Sequence, residues 1–190
     1  MLLEIVKYGD PVLRQKGAKI DKITPEIQQL VQDMIATMYA AHGVGLAAQQ
    51  IGKALQVCVI DVKGVTDRPS TMAINEEPVD LEQFMPMVLI NPEFKPLGDS
   101  VAGPEGCLSF PEIYSDIVRP ETIEVSALNE SGESLQFRCG GLLARAIQHE
   151  YDHLQGILFI DRMARKDKEE LKPEIEALQR ETRERLQKRR

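Results

Sequence analysis

The sequence predicts a domain that mixes helices with strands, on three observations. Apolar residues recur at helical spacing between positions 25 and 41, and short apolar runs at 55–62 and 87–92 read as buried strands. The third is a pair of strands, "ETIEVSAL" and "ESLQFRC", hinged on the turn residues "NESG" and running directly into a second helix. At 190 residues with 43% hydrophobic side chains, the chain has the size of one globular domain and enough apolar surface for a core.

The elements follow in order. Thr24, Pro25 and Glu26 form a helix start, and Ile27, Leu30, Val31, Met34, Ile35 and Met38 continue it on one face to about position 41. His42-Gly43 ends it. The small residues of "GVGLAAQQIG" then allow backbone to approach backbone or ligand closely. Between the two apolar strands, residues 63–86 are polar and interrupted by proline, which predicts a long surface loop able to lie over a site. After the hairpin, Gly140-Gly141 opens a helix carrying Leu142, Leu143, Ala146, Ile147, His149, His153 and Leu154, so this helix is expected to be largely buried. From Arg162 to Arg190 the chain is charged, with a thin apolar stripe at Leu171, Ile175, Leu178 and Leu186, as in a solvated helix packed along one edge.

Charge and cysteine content narrow the function. A net charge of -7 argues against a general nucleic-acid or membrane-surface binder, and DNA is not an expected partner. Residues 179–190 reverse that balance locally, with Arg180, Arg183, Arg185, Lys188, Arg189 and Arg190 against Glu181 and Glu184, a hint of contact with ribosomal RNA. No apolar run approaches a membrane span, and "MLLEIVKYGD" lacks the pattern of a signal peptide, so a cytoplasmic protein is expected. Cys58, Cys107 and Cys139 are too widely spaced and too odd in number for a disulfide framework; a reducing compartment suits a working thiolate.

The chemistry is concentrated in "QHEYDHLQG", positions 148–156. Four residues advance a helix by little more than one turn, so His149 and His153 share a face and can hold one metal ion, with Glu150 beside the first to handle a proton. A buried, unpaired histidine pair would cost several kcal/mol in desolvation unless something binds it. A catalytic metal usually takes three protein ligands and keeps one position for water. A third histidine at the common downstream spacing would fall on Phe159, which excludes that plan. A downstream carboxylate would have to be Glu169, Glu170, Glu174 or Glu176, all in the charged tail where glutamates are expected anyway. His42 ends a helix before glycine, where a terminal role is the more usual one. Cys58 and Cys139 lie in apolar strand settings and read as core. Cys107, in the glycine-bounded turn "GPEGCLSFP", is left by elimination as the partner of His149 and His153.

"GVGLAAQQ" at 43–50, "EGCLS" at 105–109 and "QHEYDHLQG" at 148–156 resemble, in order, the three signature motifs of peptide deformylases, and "YGDPVLR" at 8–14 and "LINPE" at 89–93 extend the likeness to about residue 165. The resemblance implies an α+β fold, with antiparallel β-sheets surrounding a central metal-binding helix and a C-terminal helix beyond. It implies a single catalytic domain over 1–190, with 162–190 as its charged tail. The implied reaction removes the N-formyl group from formyl-methionyl nascent peptides. Cys107, His149 and His153 would be the metal ligands, the metal Fe(II), with Ni, Co or Zn able to substitute. Glu150 would be the general base, and Gln50 and the Leu108 N–H would meet the developing oxyanion. Val44 and Gly106 would hold the peptide as an added strand, and Gly45 and Leu46 would line the approach to the metal.

Arg145 lies one helical turn before His149, and its pairing with Glu105 near the ligands is expected. Leu142 and Ala146 are candidates for the apolar wall of the substrate pocket. Tyr114 stands where some relatives carry arginine, which leaves preference along the peptide open. Two other functions would use the same residues: a metallopeptidase, and a structural-metal module that contacts the ribosome. Structural sites usually close all four positions with protein ligands, and the sequence offers no credible fourth.

Overall fold

The computed structural model describes residues 1–189; Arg190, the last member of the basic tail, lies outside the described residues. Helix α1 spans Pro25–Ala40, and the Thr24 side chain accepts a hydrogen bond from Ile27 N at 3.3 Å, as its start signal predicts. Strands β1 (Gly45–Ala47), β2 (Val57–Ile60), β3 (Ser70–Ile74), β4 (Glu77–Pro78), β5 (Met87–Cys107), β6 (Phe110–Leu128) and β7 (Ser134–Gly141) follow. Helix α2 covers Leu142–Leu154 and α3 covers Arg165–Lys188. The strands form one antiparallel sheet in the order β1-β2-β5-β6-β7-β3-β4. Helix α2 packs against β1, β2, β3, β6 and β7, so the fold is α+β with the sheet wrapped around the histidine-bearing helix.

Three expectations need correction. Residues 63–86 are not a bare loop: β3 pairs with β7 through Met72↔Cys139, β4 folds back on β3, and Met72 is buried in the core. Polarity misled there because β3 and β4 lie at the sheet's margin and only alternate side chains turn inward. The run at 87–92 is only the start of β5, which continues to Cys107 through Pro92, Pro96 and Pro104. Register shifts after Ile90, Leu97 and Gly106 mark irregularities that bend this strand, where prolines are tolerated. The turn containing "GCLSF" is correspondingly tighter than predicted. Cys107 ends β5 and pairs with Phe110 across a two-residue turn, Leu108-Ser109.

Among the described residues the core has three parts. One lies between the sheet and α2, with Leu143, Ile147, Leu89 and Ile123 fully or almost fully buried. A second lies under α1 around Met34, Met38, Leu46 and Val59. The third joins Leu13, Phe110, Phe159 and Ile175 and anchors α3 by the predicted stripe, with Leu171 and Leu178 packed against it. Cys58 and Cys139 are core residues, as expected. No helix among the described residues is long and apolar enough to cross a membrane.

Candidate metal centre and active site

Strand β7 turns into α2 at Gly141, whose φ of 70° favours glycine and lets the chain reverse sharply against Pro69. The turn buries nearly all of α2, and His149 and His153 face the same way with ring centroids 5.1 Å apart. The hairpin of β5 and β6 brings Cys107 to them. One donor atom from each of Cys107, His149 and His153 can be chosen so that all three lie within 4.8 Å of one another, and Cys107 Sγ is 3.3 Å from His153 Nε2. Neither His42 nor any glutamate of α3 belongs to this group.

Glu150 points in from the next position on α2. A Cβ at residue 45 would collide with its carboxyl group, so only glycine in β1 leaves room for it. Gln50 approaches from the turn after β1. Its Oε1 accepts from Ala47 N at 2.9 Å, which sets the amide so that Nε2 faces Cys107 Sγ at 3.5 Å and Ser109 Oγ at 3.2 Å. An extended segment secures both loops: Val6 N donates to Gln50 O, Tyr8 N to Ser109 O, and Lys7 Nζ to Leu108 O at 2.8 Å.

These groups open into a cavity of about 450 Å³. Val44, Gly45, Gln50, Gly106, Cys107, Leu108, Leu142, Ala146, His149 and Glu150 all line it, so the structure brings together almost every residue singled out in sequence. His153 lies just behind the lining, buried beneath Cys107, and Leu46 is turned away altogether. Leu46 is fully buried against α1 because successive residues of β1 face opposite ways, with Gly45 turned to the cavity. His42 sits at the cavity mouth with φ of 56°. Of residues 63–86 only Arg68 reaches the cavity, donating to Pro104 O at 2.9 Å.

Electrostatics distinguish the carboxylates. Burial pushes the pKa of Glu150 up to about 7, with the His149 charge opposing, so the group can exchange a proton near neutrality. Burial also pushes Glu105 up, but hydrogen bonds from His149 and Arg119 outweigh it and hold the carboxyl well below the usual range. His149 is driven down by burial and further up by its contacts with Cys107 and Glu105, so its surroundings favour a positive charge. Burial, then the His149 and Arg119 charges, hold His153 well below its ordinary value, which suits a neutral ligand. Glu150 Oε2 and His153 Nδ1 are buried with no hydrogen-bond partner among the described residues. A soft sulfur with the His153 Nε2 turned to it and a second imidazole within 4.8 Å fit a bound metal ion.

The pairing of Arg145 with Glu105 is present at 2.9 Å, and Arg145 also donates to the carbonyls of Ile117 and Val101. Sequence reasoning missed the larger network. Glu105 Oε1 lies 2.9 Å from His149 Nδ1, Arg119 forks onto Glu105 at 2.6 and 2.9 Å, and Arg119 NH1 reaches Asp152 at 2.9 Å. Arg119 did leave a signal: it is two residues from Ile117 in a strand, on the inward face where a charge needs partners.

Buried carboxylates and imidazoles facing a groove are the chemistry of a metal-assisted hydrolase, and on this α+β scaffold they narrow the choice of family. The chain belongs to the polypeptide deformylase family, whose model matches residues 2–169. A peptide deformylase from Opitutus terrae is 45% identical over 185 residues, covering 96% of each chain. Among solved structures, a plant peptide deformylase superposes with a TM-score of 0.82 at 38% identity, covering 96% of this chain and 92% of that one. A peptide deformylase from Synechococcus elongatus in complex with actinonin gives 0.77 at 40% identity, covering 90% of this chain and 85% of that one.

Proposed function

We infer that this protein is a peptide deformylase, a hydrolase that removes the N-formyl group from formyl-methionyl nascent peptides and releases formate. The convergence of Cys107, His149 and His153 within 4.8 Å, beside the buried Glu150, is the observation that carries the reading. These three residues would hold one metal ion, Fe(II) by preference with Ni, Co or Zn able to replace it. Such an ion supplies a Lewis acid that brings the pKa of a water from 15.7 toward about 7, as in the best-known zinc enzyme.

The chain's own groups do the rest. Glu150 takes the proton of the attacking water and passes it to the leaving amine, a task matched by a pKa near 7. Gln50 Nε2, fixed by Ala47, and the Leu108 N–H meet the formyl oxygen as it gains charge. The peptide lies along the sheet edge at β1, between Val44-Gly45 and Gly106. Asp61 N donates to the Val44 carbonyl at 2.8 Å, which ties that edge to the end of β2. Leu142 and Ala146 form the apolar wall for the methionine side chain.

The whole chain acts as one catalytic domain, with 162–190 as a charged tail whose basic end, 179–190, contacts the ribosome, and it works in the cytoplasm on new polypeptides. Formate release from a formyl-Met tripeptide, compared between wild type and Glu150→Ala at equal metal content, tests the reaction and the base. Strong release by wild type and loss in the variant is expected. Peptide fragments in place of formate would overturn the reading in favour of a metallopeptidase.

A further inference from the structure

We propose that Arg162 is a positioning residue for the active site, holding His149 from a distance through Asp152, Arg119 and Glu105. The proposal rests on the reading of His149 as a metal ligand.

Arg162 follows the short helical turn Phe159–Asp161, ahead of α3. That turn is itself fastened: Asp161 accepts from Leu158 N at 3.0 Å and from both terminal nitrogens of Arg14 at 2.5 and 3.0 Å. From there Arg162 forks onto Asp152, with Nε to Oδ2 at 2.6 Å and NH2 to Oδ1 at 2.8 Å. Asp152 Oδ2 is shared with Arg119 NH1. Arg119 uses its other two nitrogens on the two oxygens of Glu105, and Glu105 Oε1 is shared in turn with His149 Nδ1.

Each link therefore competes for the next. Among the described residues, Oδ1 of Asp152 has no side-chain partner except Arg162, and the Asp152 side chain is only 5% exposed. Without Arg162 that oxygen would be stranded, and a stranded buried acceptor reorients toward the nearest donor. Arg119, already bonded to Oδ2, is the donor at hand. Drawing Arg119 toward Asp152 slackens its fork on Glu105 and shifts the oxygen that orients His149. Arg162 is also the member of the chain that can be altered with least damage to packing, because its side chain is 43% exposed whereas Arg119 and Glu105 are each at 4%.

The test compares Arg162→Met with Arg165→Met, which removes the same charge from an exposed pair nearby. Three quantities are measured: Co(II) affinity by chelator competition, kcat and KM on a formyl-Met tripeptide, and melting of the metal-free protein. We expect Arg162→Met to bind Co(II) roughly three- to tenfold more weakly and to lose kcat by a similar factor with KM unchanged. Arg165→Met should match wild type, and Arg162→Lys should recover part of the loss. Arg162→Gln, which keeps a donor for Oδ1, provides the comparison if the methionine variant does not fold. Co(II) affinity and kcat equal to those of Arg165→Met would overturn the proposal. Should the wild type release no formate, the deformylase reading fails, and the Co(II) comparison still decides the link to His149.

Discussion

Helices α2 and α3 both carry charges, and they use them in opposite ways. On α2, Arg145, Glu150 and Asp152 are all buried, and Arg145 and Asp152 have several partners within a network that reaches β5 and β6. On α3, Arg165–Glu169, Lys166–Glu170 and Lys172–Glu176 are i, i+4 pairs at 3.0 to 4.0 Å whose side chains are more than half exposed. The residue types are the same, but water screens one set and not the other. Charge on α2 therefore fixes geometry, while charge on α3 keeps a helix solvated around the apolar anchor of Leu171, Ile175 and Leu178.

The contrast is broken most severely at Glu105. Glu105→Ala leaves Arg119, Arg145 and His149 without their shared acceptor, and a loss of roughly 3–5 kcal/mol in chemical denaturation is expected, together with loss of bound metal. A variant as stable as wild type would mean the buried network is not holding the fold. At the active site itself, Gly45→Ala pushes on the Glu150 carboxyl. With Glu150 as the proposed general base, we expect kcat to fall by roughly a hundredfold, the low end for displacing such a group, while the fold persists.

A pH experiment separates the two buried carboxylates. The folded pKa of Glu150, about 7, lies above the ordinary value of 4.5, so the native state binds the extra proton and stability falls as pH rises between those values. Glu105 is depressed, so its contribution is present above the unfolded value and is lost as pH falls toward its folded pKa. In metal-free protein, Glu150→Gln should abolish the loss of stability between pH 4.5 and 7 and leave the acid limb in place; an unchanged profile would assign that slope to another group. The smallest effect belongs to α3. Glu169→Ala or Lys172→Met should change the melting free energy by no more than about 0.5 kcal/mol, and a larger value would show that the surface pairs act as a network.

The same contrast explains what could be read from the sequence. Helix α1, the hairpin of β6 and β7, and α2 announce themselves because local spacing and turn residues specify them. His149, Glu150 and His153 were legible because one helical turn places them. Cys107 was legible through elimination and motif, although its turn is tighter than its glycines suggest. The full length of β5 was hidden by its prolines, and β3 and β4 by polar side chains at the sheet margin. Arg119 and Arg162 were missed because nothing near them in sequence names their partners; Arg119 meets Glu105 and Asp152 only after β6 has paired with β5 and packed on α2.

The placement of Cys107 also has a consequence for the order of assembly. The two imidazoles come together as soon as one turn of α2 forms. The thiol is 46 residues from His153 in sequence and reaches it only when the β5–β6 hairpin has docked on that helix. Closing so long a loop is a late, entropically costly event, so a partly folded chain presents two of the proposed metal donors and the finished chain all three. The Cys107–metal charge-transfer band that Co(II) would produce is therefore a clock for the last step of folding, rising after helical circular dichroism has reached its plateau.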